Sequence, residues 1–183
     1  MDLLHGQTKK AHCILMTVVL AALQLAASVE AQQKQGATPE PKSTRVLFMC
    51  PHGAAKSVLA SAYFRRLAKE RGLNVIVDSA GTEPDPSVAP AVAAHLTKQQ
   101  YPVRTEKPRL ATPADLANAD VVISLGCDLS CFPAPSGTLI KWDDVPPLSE
   151  NFAAADDSIR RHVTALVEEL VQQVNAGAQV TRL

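Results

Sequence analysis

"RVLFMCPHGAAKS", residues 45–57, is an apolar run that ends at a cysteine, passes through small residues and closes on a lysine and a serine. Val46 to Met49 has no polar member, the pattern of a parallel strand covered on both faces. From Lys56 the apolar positions change period: Leu59, Ala62, Tyr63 and Leu67 recur at helical spacing, and Gly72 supplies a stop. The stretch therefore reads as strand, loop, helix.

The same alternation continues along the chain. "NVIVDSAGT", residues 74–82, reads as a second strand ending in a turn. Ser87 is expected to cap a helix with Pro90 in its first turn and Val88, Val92 and Leu96 on its apolar side. Thr112 followed by Pro113 marks another helix start. "DVVISL", residues 120–125, is a third buried strand and "GTLIKW", residues 137–142, a short fourth. Asp156 and Asp157 stand ahead of Ile159, Val163, Leu166, Leu170 and Val174, the stripe of a long amphipathic helix. Strands alternating with helices give βαβ units, right-handed crossovers and a mostly parallel sheet with helices on both faces. Ligands of such sheets bind outside the carboxyl ends of the strands. Cys50, Ser79, Cys127 and Asp143 all fall at or just after strand ends, so the topology gathers them at one rim.

The loop Cys50–Ser57 has the parts of an anion cradle. The first N–H groups of a helix have no intrahelical partner, and the helix dipole adds positive potential there. Gly53, Ala54 and Ala55 keep side chains out of the way, and Gly53 tolerates positive φ. In that field a cysteine is favoured as thiolate, the nucleophilic form. Lys56 adds charge, and Ser57 can donate to the sulfur. These parts suit a nucleophile attacking a tetrahedral oxyanion. The plainer reading is a tight strand–helix turn with a half-buried cysteine.

Composition sets bounds. The 183 residues suit one domain, two at most. With 46% hydrophobic and 20% charged residues the chain is ordinary for a globular protein. Lysine plus arginine number 18, as do aspartate plus glutamate, so there is no basic excess for nucleic acid. Aromatics, at 4%, are too few for base-stacking surfaces. The N-terminus is read apart. Lys9 and Lys10, an apolar run from Ala11 to Ser28, and Val29-Glu30-Ala31 make a secretory signal peptide over residues 1–31, cleaved after Ala31. The alternative is a membrane anchor, although the run is slightly short for the roughly 20 residues a span needs. Either way the domain lies outside the cytoplasm, periplasmic or secreted in the first case. Residues 32–43, with Gly36, Pro39 and Pro41, form a flexible linker, and the folded domain covers 44–183.

Cleavage leaves Cys50, Cys127 and Cys131. An odd count in an oxidising compartment allows at most one internal disulfide. Cys127 and Cys131 either relay redox equivalents with Cys50 or form a small structural disulfide with each other. A metal site made with His52 falls short of the usual four structural ligands, and no metal is expected. His52 also stands where it can influence an anion. His95 and His162 read as surface or edge residues, Trp142 as core, and Arg160–Arg161 and Glu168–Glu169 as the solvated face of the last helix.

"VLFMCPHGAAKSVLA" resembles the loop of the low-molecular-weight protein tyrosine phosphatases and the related thiol-coupled arsenate reductases. "VDSAGT" is similar to their second-strand motif, and "ADVVISLGCDLSCFP" and "KWDDVPP" resemble the arsenate reductase branch. The likeness runs from about Arg45 to Val174. It implies a three-layer α/β sandwich with a four-stranded parallel sheet, phosphatase I-like. Cys50 matches the nucleophile and Ser57 the residue that stabilises its thiolate. Pro51, His52, Gly53, Ala54, Ala55 and Lys56 match the oxyanion-binding loop. Cys127 or Cys131 matches a resolving thiol. Asp143 or Asp144 matches the acid of the leaving group, with a spacing to Pro146 that departs from the family's Asp-Pro. Lys56 stands where the family has arginine. A lysine favours anions but lacks the planar fork that grips two oxygens, and one lost oxyanion donor costs about 100- to 1000-fold in rate.

The expectation is an exported thiol-dependent oxyanion-processing enzyme, arsenate reductase-like. A weak tyrosine phosphatase and a non-catalytic oxyanion-binding module are the alternatives. Its partners would be a small oxyanion, arsenate or phosphate, or a phosphorylated substrate. No cofactor is held; a reductase would draw on an external thiol reductant or a thiol redox partner.

Overall fold

The computed structural model describes residues 43–102 and 107–180. The expected signal peptide and all but the last residue of the expected linker lie outside the described residues. Four strands, β1 (Thr44–Cys50), β2 (Val75–Gly81), β3 (Val121–Ser124) and β4 (Thr138–Lys141), form one sheet in the order β2-β1-β3-β4. All three pairings are parallel. The helices are α1 (Lys56–Glu70), α2 (Pro90–Lys98), α3 (Pro113–Asn118) and α4 (Phe152–Val180).

Strand period sorts β1 between two cores. Val46, Phe48 and Cys50 face α1 and α4, in a cluster with Leu59, Phe64, Ile123, Ile159 and Val163. Leu47 and Met49 face the other way, against Leu116 of α3 and Val122. The expected three-layer α/β arrangement is therefore present, and both faces of the central strand are dry, as its unbroken apolar run requires. Phe48 anchors the larger core, its ring 5.5 Å from Phe64 and 5.8 Å from Trp142. Trp142 is buried, as expected of a core residue.

Several boundaries differ from expectation. Helix α2 starts from Ala89, not Ser87: Ala89 gives its N–H to the Ala54 carbonyl at 3.0 Å, and Pro90 takes the first helical position. A tertiary bond thus fixes this start. Helix α4 begins at Phe152, before Asp156 and Asp157, because the Asn151 side chain accepts the Ala154 N–H at 3.0 Å. Strand β3 leaves out Asp120, whose carboxylate instead accepts the Arg45 N–H at 2.8 Å. Thr112 caps α3 as expected, in a reciprocal box with Asp115.

Arg160 departs from the solvated face expected of it, and His95 lies at an edge, as expected, but is drawn into the same cluster. The guanidinium of Arg160 lies 4.0 Å over the Tyr63 ring and pairs with Asp156 at 3.0 Å. His95 Nε2 lies 3.0 Å from the Tyr63 hydroxyl, which also donates to Asp156. Arg160, on α4, faces α1 and α2, while Arg161, Glu168 and Glu169 are exposed as expected. His162 stacks on Trp142 at 4.9 Å. Among the described residues no helix is long and apolar enough to cross a membrane.

Candidate active site

Strand β1 ends at Cys50 and α1 opens at Lys56, leaving five residues for the turn. The carbonyls of that turn are fastened from outside. Pro51 O accepts the Glu83 N–H at 2.8 Å, His52 O the Asp85 N–H at 3.0 Å, and Ala54 O the Ala89 N–H at 3.0 Å. The start of α1 has no side-chain cap and no acidic residue in its first turn. The N–H groups of Ala54, Ala55 and Lys56 have no protein acceptor among the described residues. Unpartnered donors at a helix start are suited to an oxyanion.

Gly53 has φ +59 and lies against the end of β2. A Cβ on Gly53 would stand 2.8 Å from the Gly81 nitrogen, and one on Gly81 would stand 2.6 Å from the Gly53 nitrogen. The two glycines are needed back to back, which explains the "SAGT" turn as part of the site.

Cys50 is buried at the base of the loop with Ser57, which is itself wholly buried. Cys50 Sγ and Ser57 Oγ lie 3.1 Å apart, and the Ser57 N–H points at the sulfur at 3.5 Å. The thiol can donate to the hydroxyl; the thiolate can accept from both groups. Above Cys50 opens a cavity of about 560 Å³. Its floor includes Pro51, His52, Ala55 and Lys56, and its walls are Ala89–Val92 of the α2 start with Pro147, Leu148, Ser149 and Phe152. His52 is exposed at its edge, with Nδ1 3.6 Å from Asp85. Ser79 is elsewhere: it lines a cavity of about 260 Å³ with Asp78 and Arg109.

The Lys56 ammonium reaches across the rim. Its Nζ donates to the Val145 carbonyl at 3.4 Å and lies 3.4 Å from where a Cβ on Gly126 would be. Cys127, next to that glycine, is half-buried, and its N–H donates to Ser124 Oγ at 3.2 Å. Burial, and then the nearness of Cys50, push the Cys127 thiol up to about 12, while Ser124 and the Lys56 charge pull the other way. Cys131 is exposed, and all three described cysteines are free. Cys50, Ser57 and Lys56 thus meet at the loop, and Cys127 lies near enough to feel Cys50 and the Lys56 charge, although it does not line the cavity above Cys50.

It does not bring Asp143 or Asp144 to the cavity, which neither residue lines. Both oxygens of Asp144 are within 2.8 Å of His162 Nε2, and Ser158 donates to it at 3.3 Å. The His162 hydrogen bond holds the Asp144 carboxyl below the usual carboxylate range, which suits an ion pair rather than a proton donor. Sequence reasoning missed the loop's fasteners, the amides of Glu83, Asp85 and Ala89. They are backbone groups, and their only trace in sequence is Gly81. Among the described residues no three His, Cys, Asp or Glu side chains are grouped to hold a metal ion.

Residues 45–129 match the family model described as low molecular weight phosphotyrosine protein phosphatase. This places the likeness of residues 45–129 within the low-molecular-weight phosphatase and arsenate reductase superfamily. Members of this superfamily are cysteine-based phosphatases or arsenate reductases, and they bind phosphate or arsenate oxyanions or phosphorylated substrates. Among solved structures, a thioredoxin-dependent arsenate reductase of Corynebacterium glutamicum is similar at 25% identity and a TM-score of 0.60, over 73% of this chain and 64% of that one. The chain thus spans less than two thirds of that reductase. An arsenate reductase of Archaeoglobus fulgidus is 26% identical, with a TM-score of 0.52, over 69% of this chain and 98% of that one. A low-molecular-weight phosphotyrosine phosphatase of Vibrio cholerae shares the fold, with 22% identity and a TM-score of 0.63 over 72% of this chain and 99% of that one. No curated protein matches the sequence.

Proposed function

We propose that this protein is a member of that superfamily, an exported, thiol-dependent oxyanion-processing enzyme of the arsenate reductase type. The observation that carries this reading is the free Cys127 thiol, near enough to Cys50 and Lys56 for both to act on it, together with a cavity above Cys50 that no carboxylate lines. A second thiol serves reduction, whereas ester hydrolysis calls for a positioned acid. The oxyanion would rest on the free N–H groups at the start of α1. Cys50 would attack it with Ser57 supporting the thiolate, and Cys127 would resolve the sulfur adduct. A dithiol reductant would then reopen the disulfide. Cleavage near Ala31 would release the domain outside the cytoplasm, so its reductant must be available there.

The test uses protein beginning at Gln32. Arsenate with a dithiol reductant is expected to give arsenite, with loss of turnover in Cys50→Ser and Cys127→Ser. A phosphotyrosine analogue is expected to turn over poorly in all three. Hydrolysis of that analogue with no arsenite formed would favour the phosphatase reading. Oxyanion binding without either reaction would favour a non-catalytic module, the reading that Lys56 for arginine and the absence of Asp144 from the cavity lining support.

A further inference from the structure

Lys56 is placed oddly for a residue whose only duty is to grip a bound anion. Its ammonium lies at the turn after β3, against Gly126, and its hydrogen bond goes to the neutral Val145 carbonyl. Gly126 has φ +82, and a Cβ there would stand 3.4 Å from Nζ, which places the ammonium in contact range of this turn. No carboxylate pairs with Lys56 among the described residues, so its charge is uncompensated. Cys127 follows directly in the chain. The titratable groups that face Cys127 are Cys50 from β1 and Lys56 from α1. Its neighbour Asp128 is exposed and accepts from Ser130.

We propose that Lys56 is the charge partner of Cys127, stabilising the resolving thiolate as it attacks Cys50. This assignment rests on the reductase reading above. It also gives the charge at this position a second duty. What the resolving thiolate calls for is a nearby positive charge, and a flexible ammonium can turn from the oxyanion to a single sulfur.

The chemistry balances without another group. In the first step the Cys50 sulfur bonds to arsenic and one arsenate oxygen leaves as water, taking the thiol proton. In the second, the Cys127 sulfur bonds to the Cys50 sulfur and the sulfur–arsenic bond breaks with its electron pair left on arsenic. Arsenic falls from the pentavalent to the trivalent state, two thiols become one disulfide, and the Cys127 proton ends on an oxygen of the departing arsenite. Burial makes the Cys127 proton hard to remove, and it is at this second step that Lys56 acts.

The second step can be watched without arsenic. In a Cys131→Ser background, Cys50 is converted to a mixed disulfide with an aromatic thiol, and attack by Cys127 releases the coloured thiolate. Cys127→Ser, which blocks release, is the control. Lys56→Met is expected to slow release at pH 7.5 about 10-fold or more and to move its pH profile up by about one unit, the usual scale for a lost opposite charge. Lys56→Arg, which keeps the charge, is expected to retain most of the rate and the wild-type profile, and it guards against a mere folding defect. Protection of Cys50 from alkylation by inorganic phosphate or arsenate is expected to change less than release does in Lys56→Met. Unchanged release with lost oxyanion protection would overturn the proposal and make Lys56 an anion ligand. If wild-type protein reduces no arsenate yet release still follows Lys56, the reductase reading fails and the Lys56–Cys127 pairing stands. If arsenate is reduced and release ignores Lys56, the pairing fails alone.

Discussion

Ser57 has no solvent to serve and one sulfur to face, with Oγ 3.1 Å from Cys50 Sγ. A hydrogen bond to a charged acceptor is worth about 1.5–3 kcal/mol. Ser57→Ala is therefore expected to slow alkylation of Cys50 near neutral pH by about 10-fold or more, with little change in unfolding free energy. An unchanged alkylation rate would remove Ser57 from the thiolate's support. At this scale the sequence was most informative where spacing is local. Cys50, Gly53, Lys56 and Ser57 lie within one turn of strand, loop and helix, so their company could be read directly. The acid could not. Asp144 is claimed by His162 eighteen positions later, and Arg160 by two tyrosines from other elements. Nothing in the order of residues announces such distant partners.

Elements were legible in proportion to how local their boundaries are. Thr112 and Asp115 close a capping box within four residues, and α3 starts where those residues say. Thr112→Ala is expected to lower unfolding stability by about 1 kcal/mol. Asp115 ties the same turn to Arg109, with oxygens at 2.7 and 3.0 Å from the guanidinium. Burial pushes its carboxyl up, but the hydrogen bonds from Arg109 and Thr112 outweigh this and hold it below the ordinary 3.8. A carboxylate depressed in the folded state stabilises above its unfolded value, and that contribution is lost as pH falls through the lower folded value. Asp115→Asn is thus expected to be less stable than wild type near neutrality, with the gap narrowing as urea unfolding is repeated below pH 3.8. A gap of constant size would assign the loss to packing instead. Helix α2 shows the opposite case. Its start depends on the Ala54 carbonyl, thirty-five residues away, so Ser87 was the better cap by sequence and the wrong one in the fold.

The whole molecule was the most legible level, because four buried strands alternating with amphipathic helices admit few arrangements. What could not be read is why β2 must end in glycine. Gly81→Ala places a Cβ 2.6 Å from the Gly53 nitrogen. Backbone must then move, at a cost of about 1–3 kcal/mol, and Cys50 is expected to lose oxyanion-protected alkylation while the sheet survives. Intact protection in Gly81→Ala would show that the loop tolerates the shift. Export is tested separately. Protein recovered from a secreting host is expected to begin at or near Gln32, and full-length chain in the membrane fraction would indicate an anchor.

Three carbonyls of the loop are held by amides that lie wholly outside it, those of Glu83, Asp85 and Ala89. A clasp of that kind cannot loosen one tooth at a time without disturbing the next. In native-state hydrogen exchange these three amides are expected to open as one cooperative unit, in step with the Gly81 amide, which donates to Arg109 at 2.9 Å. Filling the cradle with phosphate should slow their exchange together, although none of them touches the anion. The segment from Gly81 to Ala89 would then act as a built-in gauge of occupancy, readable from the back of the site while its front is closed.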